Sequence, residues 1–425
     1  MSRPTFHFTA ETGWINDPHG ITYHRERYHL FFQHVPESLV WGPDCHWGHA
    51  VSDDLFSFEH LPIALAPGDG DGGIWSGSLV SDDSGQTTIF YTSVVQPDVG
   101  IGRIRSATPD DESWMSWTKG PVVAEPPAAL DIVAYRDPFV FRDEGGWRMF
   151  VGAGLADGTA AALSYRSDRI RDPARTQGAE RGHGWTFDGI AARRSTKETD
   201  PVWTGALWEC PQLFELDGRH IMVSSVWDAD VLHYTAYAVG TYLDGVFEAE
   251  TWGQLSYGTS YYAPSFFRDA DGRPSLMFWL RRIEDREAGW AGAHSVPHTL
   301  RLDGGRLIAT PHVGLEAYRG DAASDGRVAG AAADAVWTPG GRLAVYSGST
   351  ELATVSIRAG ELVLSTEEEQ SIMPDDAGDV RVIVDGPIIE VSTRAGVIAA
   401  PIMSPGDGLR LSADGALRVW PLVKK

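Results

Sequence analysis

The sequence contains no run of about 18 consecutive apolar residues, the least that a membrane-spanning helix needs, so no transmembrane helix is expected. Cysteine is nearly absent. Cys45 and Cys210 cannot build a disulfide framework or a multi-cysteine metal site, and each is expected to be a small buried apolar side chain. No long segment repeats apolar residues at the 3.6-residue helical period. The opening stretch, MSRPTFHFTAETGW, lacks the charged region and apolar run of a secretory leader, which makes a cytoplasmic location the expectation. Basic residues are the minority, 35 against 58 acidic, for a net charge of −23. A surface of that sign repels phosphate backbones and anionic lipid, so neither nucleic acid nor membrane is an expected partner, although one pocket can still accept a phosphorylated sugar. His46 and His49 flank Trp47, and His294 and His298 are four apart. Without a helix that spacing is no metal-binding face, and no metal or cofactor is expected.

What is present is a succession of short apolar or alternating runs, at residues 21–23, 28–32, 88–92, 148–152, 220–224 and 275–280, separated by Gly, Asp and Pro clusters. That is the pattern of many short antiparallel strands. Trp is abundant, with 16 copies. Its flat apolar face suits both a large β core and the C–H faces of sugars.

Five segments share one layout, in which a polar or small residue and a turn residue precede an apolar strand start. They are Asn16-Asp17-Pro18-His19-Gly20-Ile21, Trp75-Ser76-Gly77-Ser78-Leu79-Val80, Arg136-Asp137-Pro138-Phe139-Val140, Glu209-Cys210-Pro211-Gln212-Leu213-Phe214 and Tyr262-Ala263-Pro264-Ser265-Phe266-Phe267. Steps from Asp17 to Gly77, Asp137, Cys210 and Ala263 are 60, 60, 73 and 53 residues. A period of about 50–70 residues suits a four-stranded propeller blade, and five units imply five blades. Innermost strands of such blades start near the axis, so Asp17, Asp137 and Glu209 are expected to converge.

The length of 425 residues predicts two domains. Past about residue 310 Trp becomes rare, and runs at 342–346, 355–358, 380–384 and 388–392 read as strands. The fold expected is all-β: a five-bladed β-propeller over residues 1–315, followed by a small C-terminal β-sandwich over 316–425, with a soft boundary at 315–332.

Cleaving a glycosidic bond takes two carboxyl groups flanking it, about 5–5.5 Å apart when the anomeric configuration is retained. Trp14-Ile15-Asn16-Asp17-Pro18-His19-Gly20, Arg136-Asp137-Pro138 and Glu209-Cys210-Pro211 supply three carboxylates in order. These motifs resemble those of glycoside hydrolase family 32, the invertases, inulinases and levanases. The resemblance runs over residues 6–310. It implies Asp17 as nucleophile, Asp137 as transition-state stabiliser and Glu209 as acid/base. His29-Leu30-Phe31-Phe32-Gln33, Trp41-Gly42 and Trp75-Ser76-Gly77-Ser78 are similar to further family stretches. Asn16, Gln33, Trp41, Trp75, Ser76, Arg136 and Tyr262 are the expected sugar-binding residues, and Trp208 and Cys210 are expected to give Glu209 an apolar setting that raises its pKa.

Three positions depart from the family pattern. His19 stands where Asn is usual. Ser260-Tyr261-Tyr262-Ala263 stands where Asp-Phe-Tyr-Ala is common, which bears on the leaving-group subsite. Pro297-His298 replaces Pro-Arg. The activity expected is hydrolysis of terminal β-fructofuranosyl bonds in sucrose or short fructo-oligosaccharides. Fructosyl transfer through the same intermediate, an inverting five-bladed furanosidase, and a non-catalytic carbohydrate-binding propeller are the alternatives.

Overall fold

The computed structural model describes residues 3–171, 184–406 and 408–424. Strands dominate, and the one helical segment among these residues is a 3₁₀ turn at Val313–Tyr318.

Residues 13–311 form five antiparallel propeller blades, the first and last of which run together as one nine-stranded sheet. Blade I runs Gly13–His24, Arg27–Val35, His46–Ser52 and Phe58–Leu65. Blade II runs Gly73–Ser81, Thr87–Val94, Arg103–Pro109 and Trp117–Ala124. Blade III comprises Ile132–Asp143, Gly146–Leu155, Thr159–Ser167 and Thr186–Ser195. Leu207–Leu216, Arg219–Asp228, Val231–Leu243 and Val246–Gln254 make blade IV. Blade V starts with Tyr261–Arg268 and Pro274–Asp285, has its third position divided between Trp290–His294 and His298–Asp303, and ends with Arg306–Pro311. Parallel pairing of Gly13 with Trp290 and Trp14 with Ala291 joins blade V to blade I and closes the ring.

Tight turns link the strands where the sequence places residues that tolerate positive φ. Asp217-Gly218 and Asp244-Gly245 turn the blade IV hairpins with both residues left-handed, the geometry of type I′ turns.

Apolar side chains fill the spaces between blades. Phe31, Trp47, Tyr91 and Trp117 pack between blades I and II, and Phe150, Trp208, Met222 and Phe247 between blades III and IV. Burial of each large side chain is worth about 1.5–3 kcal/mol.

In the tail, Ala332–Ser347 pairs with Val380–Asp385 along its first half and with Thr350–Arg358 along its second. Gly408–Pro421 follows it through both halves, past a register break between Pro339 and Leu343. The long strands thereby pass between two layers around Trp337, Leu343, Val382 and Val391. This unit is latched to the propeller. Ser256–Tyr257 pairs in parallel with Val397 and Ile398. Asp385 accepts the backbone N–H groups of Thr5, Phe6 and His7, and His7 sits between Asp385 and Glu390.

Candidate active site

Every one of the five repeated segments lies on the innermost strand of a blade, and each interrupts its own ladder. Pairing with the second strand breaks between Ile15 and Pro18, Trp75 and Gly77, Glu209 and Gln212, and Tyr262 and Ser265, and in blade III it breaks between Arg136 and Phe139. Asp137, Cys210 and Ala263 have φ of 65°, 49° and 44°. Such bulges re-aim side chains, and they explain how Pro138, Pro211 and Pro264 fit inside strands, since no ladder bond is asked of a bulged residue; Pro18 directly follows the bulge at Asn16 and Asp17. The equivalent blade II position is Gly77, where a Cβ would sit 1.9 Å from the Phe90 carbonyl oxygen.

These bulges bring Asp17, Asp137 and Glu209 together at the axis. Asp17 Oδ2 accepts the Ser76 hydroxyl at 2.6 Å and faces the Cys210 thiol at 3.6 Å, while Oδ1 accepts Asn16 Nδ2 at 3.1 Å. Gln33 spends both ends of its amide on this support, accepting from Asn16 and donating to Ser76. Beneath the loop, His294 Nε2 meets the Asn16 carbonyl at 2.7 Å. Asp137 Oδ2 accepts the Cys210 N–H at 3.0 Å, and its own N–H donates to Thr92 Oγ1 at 2.7 Å. Glu209, its side chain 15% exposed, accepts the Tyr262 hydroxyl on Oε2 at 2.7 Å and lies 3.4 Å from Arg136 Nη1 through Oε1.

Burial raises Asp17 to a pKa of about 6, reinforced by the Glu209 charge and opposed by the bonds from Ser76, Cys210 and Asn16. Asp137 is raised as well, by burial and then by Glu209, with Arg136 acting the other way. Tyr262, buried against Glu209, is held far above the ordinary phenol range and stays a proton donor.

The remaining expected residues line the same place. Trp75 is buried, donates its indole N–H to the Pro43 carbonyl, and lies 5.4 Å beneath the Arg136 guanidinium. Trp41 is 47% exposed and meets Trp75 edge-on, as a rim residue. Below the carboxylates the innermost strands of all five blades enclose a cavity of about 40 Å³, bordered by His19, Ser78, Gln212 and Ser265.

Two expectations need correction. Trp208 is not beside the Glu209 carboxyl; it is fully buried between blades III and IV, donating to the Thr204 carbonyl, because consecutive strand residues face opposite ways. Cys210 is no inert core residue like Cys45: its thiol faces Asp17 and its N–H holds Asp137.

Residues 7–311 match the family model described as the glycosyl hydrolases family 32 N-terminal domain. The chain belongs to glycoside hydrolase family 32. It is 33% identical over 336 residues to a sucrose-6-phosphate hydrolase of Escherichia coli, covering 74% of this chain and 66% of that protein. A levanase of Bacillus subtilis is 34% identical over 75% of this chain and 48% of its own length. The match thus spans about two thirds of the first of these relatives and about half of the second. Among solved structures, a family 32 beta-fructofuranosidase of Bombyx mori superposes with a TM-score of 0.82 at 24% identity, covering 99% of this chain and 94% of that one. Fructan 1-exohydrolase IIa of Cichorium intybus superposes with 0.79 at 20% identity, covering 99% and 97%.

Within this family 32 chain the three departures are all buried. His19 packs its ring 3.9 Å from that of Trp47, and neither ring nitrogen has a partner among the described residues. Ser260 is fully buried with its hydroxyl unpartnered, so it presents no group to a leaving-group subsite. His298 is buried between the Val296 carbonyl and the Tyr261 hydroxyl. The motif reading did not single out Thr92 or Trp279, and it named His294 only to set it aside as a metal ligand. Trp14 and Trp279 meet edge-on next to Tyr262, each with a buried indole N–H that no group among the described residues accepts. No motif marks Trp279, because strand pairing and ring closure bring it against Trp14 of the first motif.

Proposed function

We propose that this chain is a retaining β-fructofuranosidase that hydrolyses terminal β-D-fructofuranosyl bonds in sucrose and short fructo-oligosaccharides. The observation that carries the reading is the opposed setting of two carboxyl groups in one pocket. Asp17 takes three side-chain donors and keeps lone pairs free for attack, whereas Glu209 is oriented by the Tyr262 hydroxyl and Arg136. Printed names of relatives agree with this reading: sucrose-6-phosphate hydrolase, raffinose invertase and levanase.

In this mechanism Glu209 gives its proton to the glycosidic oxygen while Asp17 attacks the anomeric carbon. The bond to the leaving sugar breaks and a fructosyl ester on Asp17 forms. Glu209, now a carboxylate, takes a proton from water as the water oxygen attacks the same carbon, and Asp17 is released. Asp137, held by the Cys210 N–H, accepts hydrogen bonds from ring hydroxyls and offsets the oxocarbenium-like charge. Asn16, Gln33 and Ser76 hold the nucleophile, and Trp41 and Trp75 offer apolar faces to the sugar. The protein needs no metal for any of these steps.

The test is hydrolysis of sucrose, sucrose 6-phosphate, kestose, inulin and levan, with products separated by chromatography and the anomer first released followed by NMR. Release of fructose with retained configuration is expected, fastest on the short substrates. An inverted product, or no action on any fructoside, overturns the proposal.

A further inference from the structure

Arg281 is a cation at the edge of the site with no anion of its own. It lies on the second strand of blade V, Pro274–Asp285, one residue past the Leu280–Tyr261 pair, and its backbone N–H donates to the Ser260 carbonyl at 2.9 Å. Its guanidinium is 4.8 Å from the centre of the Tyr262 ring. It is anchored by two carbonyls of blade IV, Leu232 at 2.7 Å and His233 at 3.2 Å, and its buried Nε has no partner among the described residues. No carboxylate among the described residues lies within ion-pair distance of it. The neighbouring Arg282, by contrast, is paired with Glu369 and Glu368. Burial pushes Arg281 down to about 10, with Tyr262 and Glu209 pulling it back up, so it stays charged at neutral pH.

From this geometry we infer that Arg281 is a positioning residue for the acid/base: through Tyr262 it strengthens the hydrogen bond that holds and orients the Glu209 carboxyl. This rests on the acid/base role proposed above for Glu209. The physical path is short. A cation over an aromatic ring withdraws electron density and strengthens the phenol as a donor. That hydroxyl donates to Glu209 Oε2 at 2.7 Å, a bond that is stronger to the charged carboxylate than to the neutral acid. Through space the positive charge acts in the same direction.

Other charged or titratable groups face Glu209: Arg136 and Asp137 from blade III, Asp17 from blade I, Cys210 beside it and Tyr262 from blade V. Arg136 shares the work of Arg281, while the two Asp carboxylates oppose it. Around Arg281 itself stand Arg282, Glu369, Tyr262 and His233. The carbonyl anchors matter because they bind the guanidinium without neutralising it, leaving its whole charge to act on the Tyr262–Glu209 pair.

The experiment is the pH dependence of kcat/KM on sucrose, or on the fastest fructoside of the panel, for wild type, Arg281→Gln, Arg281→Lys and Glu209→Ala. Arg281→Gln is expected to move the alkaline limb upward by about half a unit to one unit, because a positive charge and a strengthened hydrogen bond are lost from the catalytic pair. Arg281→Lys keeps the charge and is expected to return the limb to within about 0.2 unit of wild type. An unshifted limb in a folded Arg281→Gln enzyme overturns the inference, as does an equal shift in Gln and Lys variants. Should Arg281→Gln fail to fold, Arg281→Met takes its place as the uncharged variant: an upward limb there supports the inference, and an unshifted limb overturns it. A Glu209→Ala enzyme as active as wild type would sink the acid/base reading itself, an outcome separate from any result at Arg281.

Discussion

The Cys210 thiol lies 3.6 Å from Oδ2 of Asp17, on the oxygen that also accepts the Ser76 hydroxyl, although 193 residues separate the two in sequence. The residue next to the acid/base in the chain therefore serves the nucleophile in space. Cys210→Ala removes one donor from the charged form of Asp17. Its pKa should rise, and the acid limb of kcat/KM should move up by about half a unit, the equivalent of a weak net hydrogen bond. A limb that stays in place in folded Cys210→Ala would show that the thiol does not interact with Asp17.

The two catalytic carboxyls should separate by leaving group. Glu209→Ala should lose about 10²–10⁴ in rate on sucrose, yet be partly spared on an activated fructoside whose leaving group needs no proton. Asp17→Ala should be disabled on both alike, since no covalent intermediate forms. Equal losses for both variants on both substrates, with folded protein, would reverse or void these roles.

Asp17 is also a stability liability. Its folded pKa of about 6 lies above the 3.8 of the unfolded chain, so the folded state binds the proton more tightly. That contribution is fully present below pH 3.8 and is lost as pH rises through 6. At pH 7 the buried charge therefore weakens the fold, and Asp17→Asn should melt higher than wild type while losing activity, a trade common at active sites. The same value places the acid limb of wild-type kcat/KM near pH 6. Thermal melts and a pH–rate profile check both; a lower Tm for Asp17→Asn at pH 7 would contradict the first.

The latch between N-terminal arm and tail should be alkali-sensitive. His7 bridges Asp385 at 2.8 Å and Glu390 at 3.3 Å, and despite burial these carboxylates raise it from 6.5 to about 9. A folded pKa above the unfolded one gives stability fully present below pH 6.5 and lost as pH rises through 9. Wild-type Tm should fall over that interval more steeply than that of His7→Gln. His7→Gln should itself be destabilised at pH 6 by up to about 3–5 kcal/mol, since it leaves buried carboxylates uncompensated. Parallel Tm–pH curves for the two proteins would exclude this role.

Much of the molecule was legible in the residues alone. The five-fold spacing of Asp17, Gly77, Asp137, Cys210 and Ala263 fixes the number of blades, because one bulged innermost strand recurs per blade. The carboxylates could be picked out because Asp17 and Asp137 sit in such a bulge, each next to a Pro, and Glu209 directly precedes one, two residues before Pro211. What neighbours each carboxyl was decided by the tertiary structure. Linear adjacency suggested Trp208 as the apolar neighbour of Glu209, but the strand alternates and sends that indole into the core. The partners of Glu209 arrive from elsewhere: Arg136 from the preceding blade, Tyr262 from the following one, and Arg281 behind Tyr262. Ser260 sits in a binding motif and is nonetheless fully buried. The sequence sets the period and the bulges because these are local properties of each strand. Pairwise distances between charges depend on how five blades close around an axis, and closure is a non-local event, completed when Gly13 pairs with Trp290.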